Sequence, residues 1–367
     1  MFIKDLETPN VIVDLKKLKT NIREMADIAK KHNVELWPMI KTHKSDYILN
    51  LQLKHGAKGI LVAKLSEAEM MANAGAERIM IAYPIVGEKK LERLYNLSNE
   101  VKVVCSVDTF ESASFLNKKA LEKNTIFDCM ILIDSGLKRL GISVDQVKEF
   151  YNRLKALKGI RIAGVATHGG HVYGASDFDE IKEAACEEVN CVTEAAKIIE
   201  QEGGNCEFIA LGSTPTVKAI NDFKKIKQIR PGNYVFYDAI QVALGVVPIE
   251  RCALSVLGTV ISIPEQGRAV IDVGSKVLSS DTGAHGNNRI EGYGLVKNHK
   301  SIVINGLSEE LGKIYYNPEE DKLKIGQVLE IVPNHACSVV NMVNKIYGVS
   351  KNKVIKEIFV TARGLSQ

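Results

Sequence analysis

At 367 residues the chain has room for about two domains of roughly 150 residues each, and a composition of 46% hydrophobic and 25% charged residues is too apolar for disorder. With 48 basic and 44 acidic side chains the formal charge is only +4 and no basic block stands out, which argues against a nucleic acid or a membrane surface as partner. The longest apolar stretch, residues 242–249, falls far short of the ~20 residues a membrane helix needs. Asp5 and Glu7 interrupt the N-terminus before an apolar run forms, unlike a secretory signal, so a cytoplasmic location is expected. Seven cysteines, odd in number and irregular in spacing, predict reduced thiols rather than disulfides.

In chain order, Asp14 predicts the cap of a helix reaching about residue 31, with Leu15, Leu18, Ile22, Met25 and Ile28 at spacings of three and four. Eight strand-like runs follow, at 35–40, 59–63, 78–82, 101–105, 128–133, 160–166, 207–211 and, weakly, 227–229. Helical stretches such as 65–74 and 178–203 separate most of them. That alternation predicts an α/β chain built as a parallel (β/α)8 TIM-like barrel rather than an open sheet. From about residue 241 the texture changes to short strands at 251–263, 267–273, 289–296, 301–304, 327–332 and 344–349, joined by Gly, Asn, Asp and Pro turns. The division expected is a barrel over 1–240, with residues 1–10 available to join the second domain, and a β-domain over 241–367.

Polar clusters fall directly after five of the barrel strands, on the rim where barrel enzymes build their sites. They are Lys41-Thr42-His43-Lys44, the run from Asp134 to Arg139, the run from Thr167 to Tyr173, Gly212-Ser213-Thr214, and Arg230-Pro231-Gly232-Asn233-Tyr234. The last two suit a phosphate: Gly212 and Gly232 permit close backbone approach, Ser213 and Thr214 offer hydroxyls, and successive amides form an anion nest. Two tight Gly/Pro turns are the alternative. Lys41 follows the apolar Met39 and Ile40, where partial desolvation makes an amine nucleophilic enough for a Schiff base; a solvated rim lysine is the alternative. Together, a strand-one lysine and a phosphate cradle across the barrel mouth are what pyridoxal phosphate requires. Further on, His335 and Cys337 lie two residues apart in a segment read as extended, which would point imidazole and thiolate to one side for a shared metal.

These motifs, with Trp37-Pro38-Met39-Ile40-Lys41, the Gly-Gly-His-x-Tyr at 169–173 and Pro333-Asn334-His335-Ala336-Cys337, resemble the D-threonine aldolase and eukaryotic-type D-serine dehydratase family. The resemblance spans essentially the whole chain and implies an alanine-racemase-like fold and pyridoxal 5'-phosphate as cofactor. It implies that Lys41 joins the cofactor aldehyde, that His168 lies against the pyridine ring, that Arg139 stands near its phenolic oxygen, and that Arg230 faces the ring nitrogen. An arginine there disfavours ring protonation and weakens the electron sink. Tyr173, Gly212, Ser213, Thr214, Gly232, Asn233 and Tyr234 complete the implied cofactor contacts, and His335 and Cys337 fall on the family's ligand positions for a divalent metal, zinc or manganese. A homodimer and a small D-amino acid substrate are implied as well. The chain departs from the family pattern at Leu311, where a histidine is usual, and at Cys337-Ser338-Val339. Both changes bear on which substrate is taken. Gly292-Tyr293-Gly294 is a poor match to the racemase tyrosine motif, which places a racemase behind the lyases.

The expected reaction is therefore a metal-assisted retro-aldol cleavage of a D-3-hydroxy amino acid such as D-threonine, giving glycine and an aldehyde, with His171 or a metal-bound hydroxide as the candidate base. The alternative within the family is a D-serine dehydratase, in which Lys41 takes the α-proton and the products are a 2-oxo acid and ammonia. A non-catalytic pyridoxal-phosphate carrier is the alternative from another class, although the carriers resemble the barrel alone.

Overall fold

The structure, a computed structural model, describes residues 1–284 and 289–367. Strand β1 (Asn10–Asp14) leads into helix α1 (Leu15–Lys31), where the Asp14 carboxylate accepts the N–H groups of Lys16 and Lys17 at 2.8 and 3.0 Å and so caps the first turn. Strands and helices then alternate: β2 (Glu35–Leu36), α2 (Asp46–Lys54), β3 (Ile60–Val62), α3 (Leu65–Asn73), β4 (Arg78–Ile81), α4 (Glu88–Ser98), β5 (Lys102–Val107), α5 (Phe110–Glu122), β6 (Phe127–Ile133), α6 (Val147–Leu154), β7 (Ile160–Thr167), α7 (Phe178–Gln201), β8 (Phe208–Leu211), α8 (Thr214–Ala219) and β9 (Gln228–Ile229). After α9 (Ala239–Ala243) the chain is mostly strand: β10 (Leu254–Glu265), β11 (Arg268–Ile271), α10 (Ser275–Leu278), β12 (Leu295–Val296), β13 (Val303–Leu307), β14 (Gly312–Tyr315), β15 (Val328–Val332), α11 (Ala336–Met342), β16 (Lys345–Ser350) and β17 (Lys353–Phe359). Among the described residues no helix is long and apolar enough to cross a membrane.

The chain forms two compact units. One comprises Glu24–Lys41, Ile48–Gly232 and Leu365–Gln367; the other comprises Met1–Arg23, Thr42–Tyr47 and Asn233–Gly364. In the first, eight parallel strands run in the order β2-β9-β8-β7-β6-β5-β4-β3. A bridge between Met39 and Leu61 joins the two ends and closes the barrel. Trp37, Leu61, Met80, Val104, Met130, Leu132 and Phe208 fill its interior with small Ala163, Ala166 and Ala210 between them. The large-small alternation lets side chains from different strands share a narrow space. The regular part of the expected first strand is only Glu35–Leu36, because Pro38 has no N–H to donate; the Trp37 and Met39 N–H groups still donate to the Ile229 and Pro231 carbonyls, and a bridge follows at Met39.

Strand β7 carries a bulge beside β6, between the pairs Cys129–Ile162 and Met130–Gly164. Gly164 there has φ +154° and passes so close to β8 that an added Cβ would lie 1.9 Å from the Phe208 carbonyl oxygen. Neither the backbone angle nor the space suits alanine, so Gly164→Ala should destabilise the barrel by on the order of 2–4 kcal/mol, read as a fall in thermal midpoint.

The second unit holds a nine-stranded sheet in the order β13-β14-β11-β10-β1-β16-β17, with β15 pairing β10 and β12. All its pairings are antiparallel except β1 with β16. The strand read at 289–296 reduces to Leu295–Val296, because Gly292 and Gly294 take φ +78° and +108° and break the extended run. Strands β1, β14 and β17 had not been foreseen from the sequence.

Candidate active site

In the barrel unit, five polar clusters begin at the C-terminal ends of strands. Lys41 lies in a short 3-10 turn, Ile40–Thr42, after the Met39 bridge. It is half-buried, and no described residue bonds or ion-pairs with its Nζ. After β7, His168 is half-buried, and Tyr173 is buried in the 3-10 turn Gly170–Gly174. His171 lies in the same turn with both ring nitrogens buried and no partner for either among the described residues. Its ring packs on Gly136, where a Cβ would come within 3.2 Å. Arg230, only 5% exposed, donates from Nη2 to the Thr167 carbonyl at 2.5 Å and from Nη1 to Met80 Sδ at 3.4 Å. Its Nε has no described partner. Burial pulls the Arg230 pKa down to about 10, with Glu188 opposing, so the guanidinium stays cationic at neutral pH. Arg139 is exposed and stacks over the Tyr83 ring at 5.7 Å.

The expected phosphate cradle is redistributed. The Gly212 N–H donates to Glu188 Oε1 at 3.0 Å, and the Ser213 N–H to Thr216 Oγ1 at 2.9 Å inside a capping box for α8. Thr214 is buried at the start of the same helix. By contrast, the N–H groups of Gly232 and Asn233 have no described partner and remain available to an anion. Tyr234 is fully buried directly after them.

In the second unit, His335 is not in an extended segment. It is the N-cap residue of α11, and Cys337 lies in that helix's first turn. The two donors nevertheless meet, with the imidazole and the Cys337 sulfur in hydrogen-bond contact. The Asp281 carboxylate contacts His335 Nδ1 at 2.7 Å and also accepts Ser338 Oγ and the Gly283 N–H, each at 3.0 Å. That leaves Nε2 as the nitrogen for a metal. Burial opposes charge on this imidazole, yet the Cys337 thiolate and Asp281 outweigh it and hold its pKa well above the usual range. For Asp281, burial acts upward, but the His335, Gly283 and Ser338 hydrogen bonds prevail and bring the carboxyl down to about 2. A thiolate beside an imidazole whose far nitrogen is fixed by a carboxylate is a donor set suited to zinc. Cys337 Sγ also contacts Thr42 Oγ1 at 3.4 Å, and Thr42 is the chain neighbour of Lys41. Replacing Asp281 by asparagine should weaken zinc binding by about 10–100-fold, measured by competition with a chromophoric chelator.

A carboxylate trio at Glu88, Glu92 and Glu122 has metal-like spacing, but Lys119 Nζ already pairs with all three. A cavity of about 850 Å³ in the second unit, lined by Lys17, Lys297 and Glu330 among others, contains none of the candidate residues.

Sequence reasoning missed three acids, Glu188 and Asp238 fully buried and Asp281 half-buried. Glu188, on α7, accepts the Gly169 N–H at 2.7 Å as well as that of Gly212, and so ties the loop after β7 to the loop after β8. Burial raises its pKa, against the pull of Thr216, those two amides and Arg230. It occupies the apolar stripe Ile181, Ala185, Glu188, Val192, Ala195, and an acid in such a stripe was the available signal. Asp238 precedes the apolar Ala239-Ile240 as an N-cap would, and its carboxylate accepts the Gln241 N–H at 3.3 Å. Asp281 stands 54 residues from His335, and nothing local marks it.

Comparison with known proteins places these features in a family. The model described as alanine racemase, N-terminal domain, matches residues 13–239, and the putative serine dehydratase domain matches residues 253–349. The chain is 30% identical over 347 residues to D-threo-3-hydroxyaspartate dehydratase of Delftia sp. (strain HT23), covering 91% of each. It is 27% identical over 367 residues to D-threonine aldolase of Arthrobacter sp, covering 99% of this chain and 94% of that one. To D-serine dehydratase of Dictyostelium discoideum it is 27% identical over 385 residues, covering 97% of each. Among solved structures, a histidine-to-alanine mutant of D-threo-3-hydroxyaspartate dehydratase matches with a TM-score of 0.92 at 27% identity, covering 98% of this chain and 96% of that one. A cysteine-to-alanine mutant of the same dehydratase, in the metal-free form, matches with a TM-score of 0.91 at 27% identity over 98% of each chain.

Proposed function

The chain belongs to the D-threonine aldolase and D-serine dehydratase family of alanine-racemase-fold pyridoxal-phosphate enzymes, and from that premise we propose that it removes water from a D-3-hydroxy amino acid to give a 2-oxo acid and ammonia. The observation that carries this choice is the His335–Cys337 pair backed by Asp281. In the D-threo-3-hydroxyaspartate dehydratase structures the mutated histidine and cysteine are likewise two residues apart, and the cysteine mutant is metal-free. The sequence alone put retro-aldol cleavage first; the donor pair moves dehydration ahead of it.

The residues present fit both groups. Lys41 has a free, half-buried amine to hold the cofactor aldehyde, Gly232 and Asn233 have unengaged amides for its phosphate, and Arg230 has a buried, unpartnered Nε for its ring. Bound there, pyridoxal phosphate supplies an electron sink for the substrate's α-carbon. A zinc ion held by His335 and Cys337 would supply Lewis acidity. Lys41 Nζ removes the α-proton, and no described carboxylate pairs with it to hold the amine in its protonated form. His171, with two unengaged ring nitrogens, delivers a proton to the departing hydroxyl, which leaves as water. Hydrolysis of the resulting unsaturated amine gives the 2-oxo acid and ammonia, so one D-serine yields one pyruvate and one ammonia. Arg230 keeps a positive charge at the barrel mouth, and Glu188 holds the His171 and Gly212 loops in register.

The test is a product assay with D-serine, D-threo-3-hydroxyaspartate and D-threonine, with and without added zinc. The expected result is 2-oxo acid and ammonia in equal amounts, lost on chelation. Glycine with an aldehyde would instead assign the retro-aldol reaction.

A further inference from the structure

Within the second unit one buried carboxylate touches both the candidate phosphate anchor and the candidate metal-ligand segment. Asp238 is fully buried. Its Oδ2 accepts the Asn233 side-chain N–H at 2.5 Å and the Ala336 backbone N–H at 3.0 Å. Ala336 is the residue between His335 and Cys337. The next residue repeats the tie, as the Ala239 N–H donates to the Pro333 carbonyl at 2.9 Å, two positions before His335. An ordinary N-cap aspartate would need only its bond to the start of α9, which here uses Oδ1 and the Gln241 N–H. The additional bonds on Oδ2 lead outward to two different loops.

We propose that Asp238 is a positioning residue that makes zinc and pyridoxal phosphate bind cooperatively, each strengthening the other. The proposal rests on the functional reading above, which gives Asn233 and the His335–Cys337 pair their ligands. An anion held by the Asn233 amide fixes that residue and, through its side chain, fixes Oδ2. Oδ2 in turn fixes the Ala336 N–H and the two donors on either side of it. The ordering of one shared carboxylate is then completed by whichever ligand arrives first, and the second ligand meets a site already set. Such coupling is reciprocal by thermodynamic necessity.

The test measures zinc affinity by chelator competition in dialysed cofactor-loaded protein and in cofactor-free protein, and cofactor affinity by absorbance with and without zinc. In the natural chain each ligand should tighten the other by about fivefold or more, by the same factor in both directions. Asn233→Ala keeps the backbone amide but cuts the bond to Asp238, so its zinc affinity without cofactor should stay within about twofold while the tightening vanishes. Asp238→Asn, which offers one acceptor atom where two are used, should lose the tightening as well. Pyridoxal lacking the phosphate probes the natural chain without any substitution and should leave zinc affinity unchanged. Equal zinc affinity in loaded and unloaded natural protein, or full tightening retained in Asn233→Ala, would overturn the coupling. Failure of the natural chain to bind pyridoxal phosphate at all would overturn the functional reading instead.

Discussion

Replacing Lys41 by alanine should give a folded protein that no longer traps pyridoxal phosphate with borohydride, has lost its yellow absorbance, and turns over at least about 10³-fold more slowly. The size of the effect follows from the two roles proposed for one amine, anchoring the cofactor and moving the α-proton. Both need an Nζ without a competing partner, and no described residue claims that of Lys41. Folding should be unaffected, because the side chain is only half-buried and makes no hydrogen bond to a described residue that the alanine would abandon. Retention of covalent cofactor in the variant would shift the assignment to Lys44, which is buried and whose carbonyl accepts the Ala362 N–H and the Thr361 hydroxyl. Peptide mapping of the reduced adduct distinguishes the two lysines directly.

Cys337→Ala should leave the cofactor colour in place while removing the metal. Elemental analysis should fall from about one zinc per chain to near none, and turnover should drop by on the order of 10²–10³-fold. One imidazole cannot retain zinc against water, whereas imidazole and thiolate together bind it as a chelating pair. Acidification should imitate the substitution. A proton on His335 competes with the metal, and that proton is favoured in the metal-free chain, so zinc affinity must weaken as pH falls and zinc uptake near neutrality must release protons. A Cys337→Ala protein with full metal content and full activity would remove the donor pair from the mechanism.

The barrel was legible because most of its strands are short apolar runs bounded by turn residues, and the two-residue β2 and β9, Glu-Leu and Gln-Ile, carry the faintest signal. What the sequence concealed has particular causes. Strand β1 reads as the approach to a helix cap, since Asp14 signals the cap more strongly than Val11, Ile12 and Val13 signal a strand, and its partners β10 and β16 lie far along the chain. Strand β17 alternates regularly, but Lys353 and Glu357 at exposed positions and the half-buried Lys356 disguise it as a polar loop. For the candidate site, residue types carried the information and conformation did not. The His-x-Cys spacing suggested a strand, and the segment instead turns into a helix that still brings the two donors together. The phosphate cradle was read from composition, which cannot reveal that Glu188 and Thr216 already accept the amides of Gly212 and Ser213. Partners such as Asp281 are set by tertiary structure alone.

Trp37 is the chain's single tryptophan, and it is fully buried in the barrel interior with its ring edge against Phe208 at 5.7 Å and its indole N–H bonded to Glu35 at 2.7 Å. Emission excited at its absorption edge therefore reports the state of one unit only. Equilibrium denaturation followed by that signal should track loss of the barrel, while far-ultraviolet dichroism sums both units. Any denaturant range in which the two curves separate marks a species with the nine-stranded sheet and the barrel at different stages of melting.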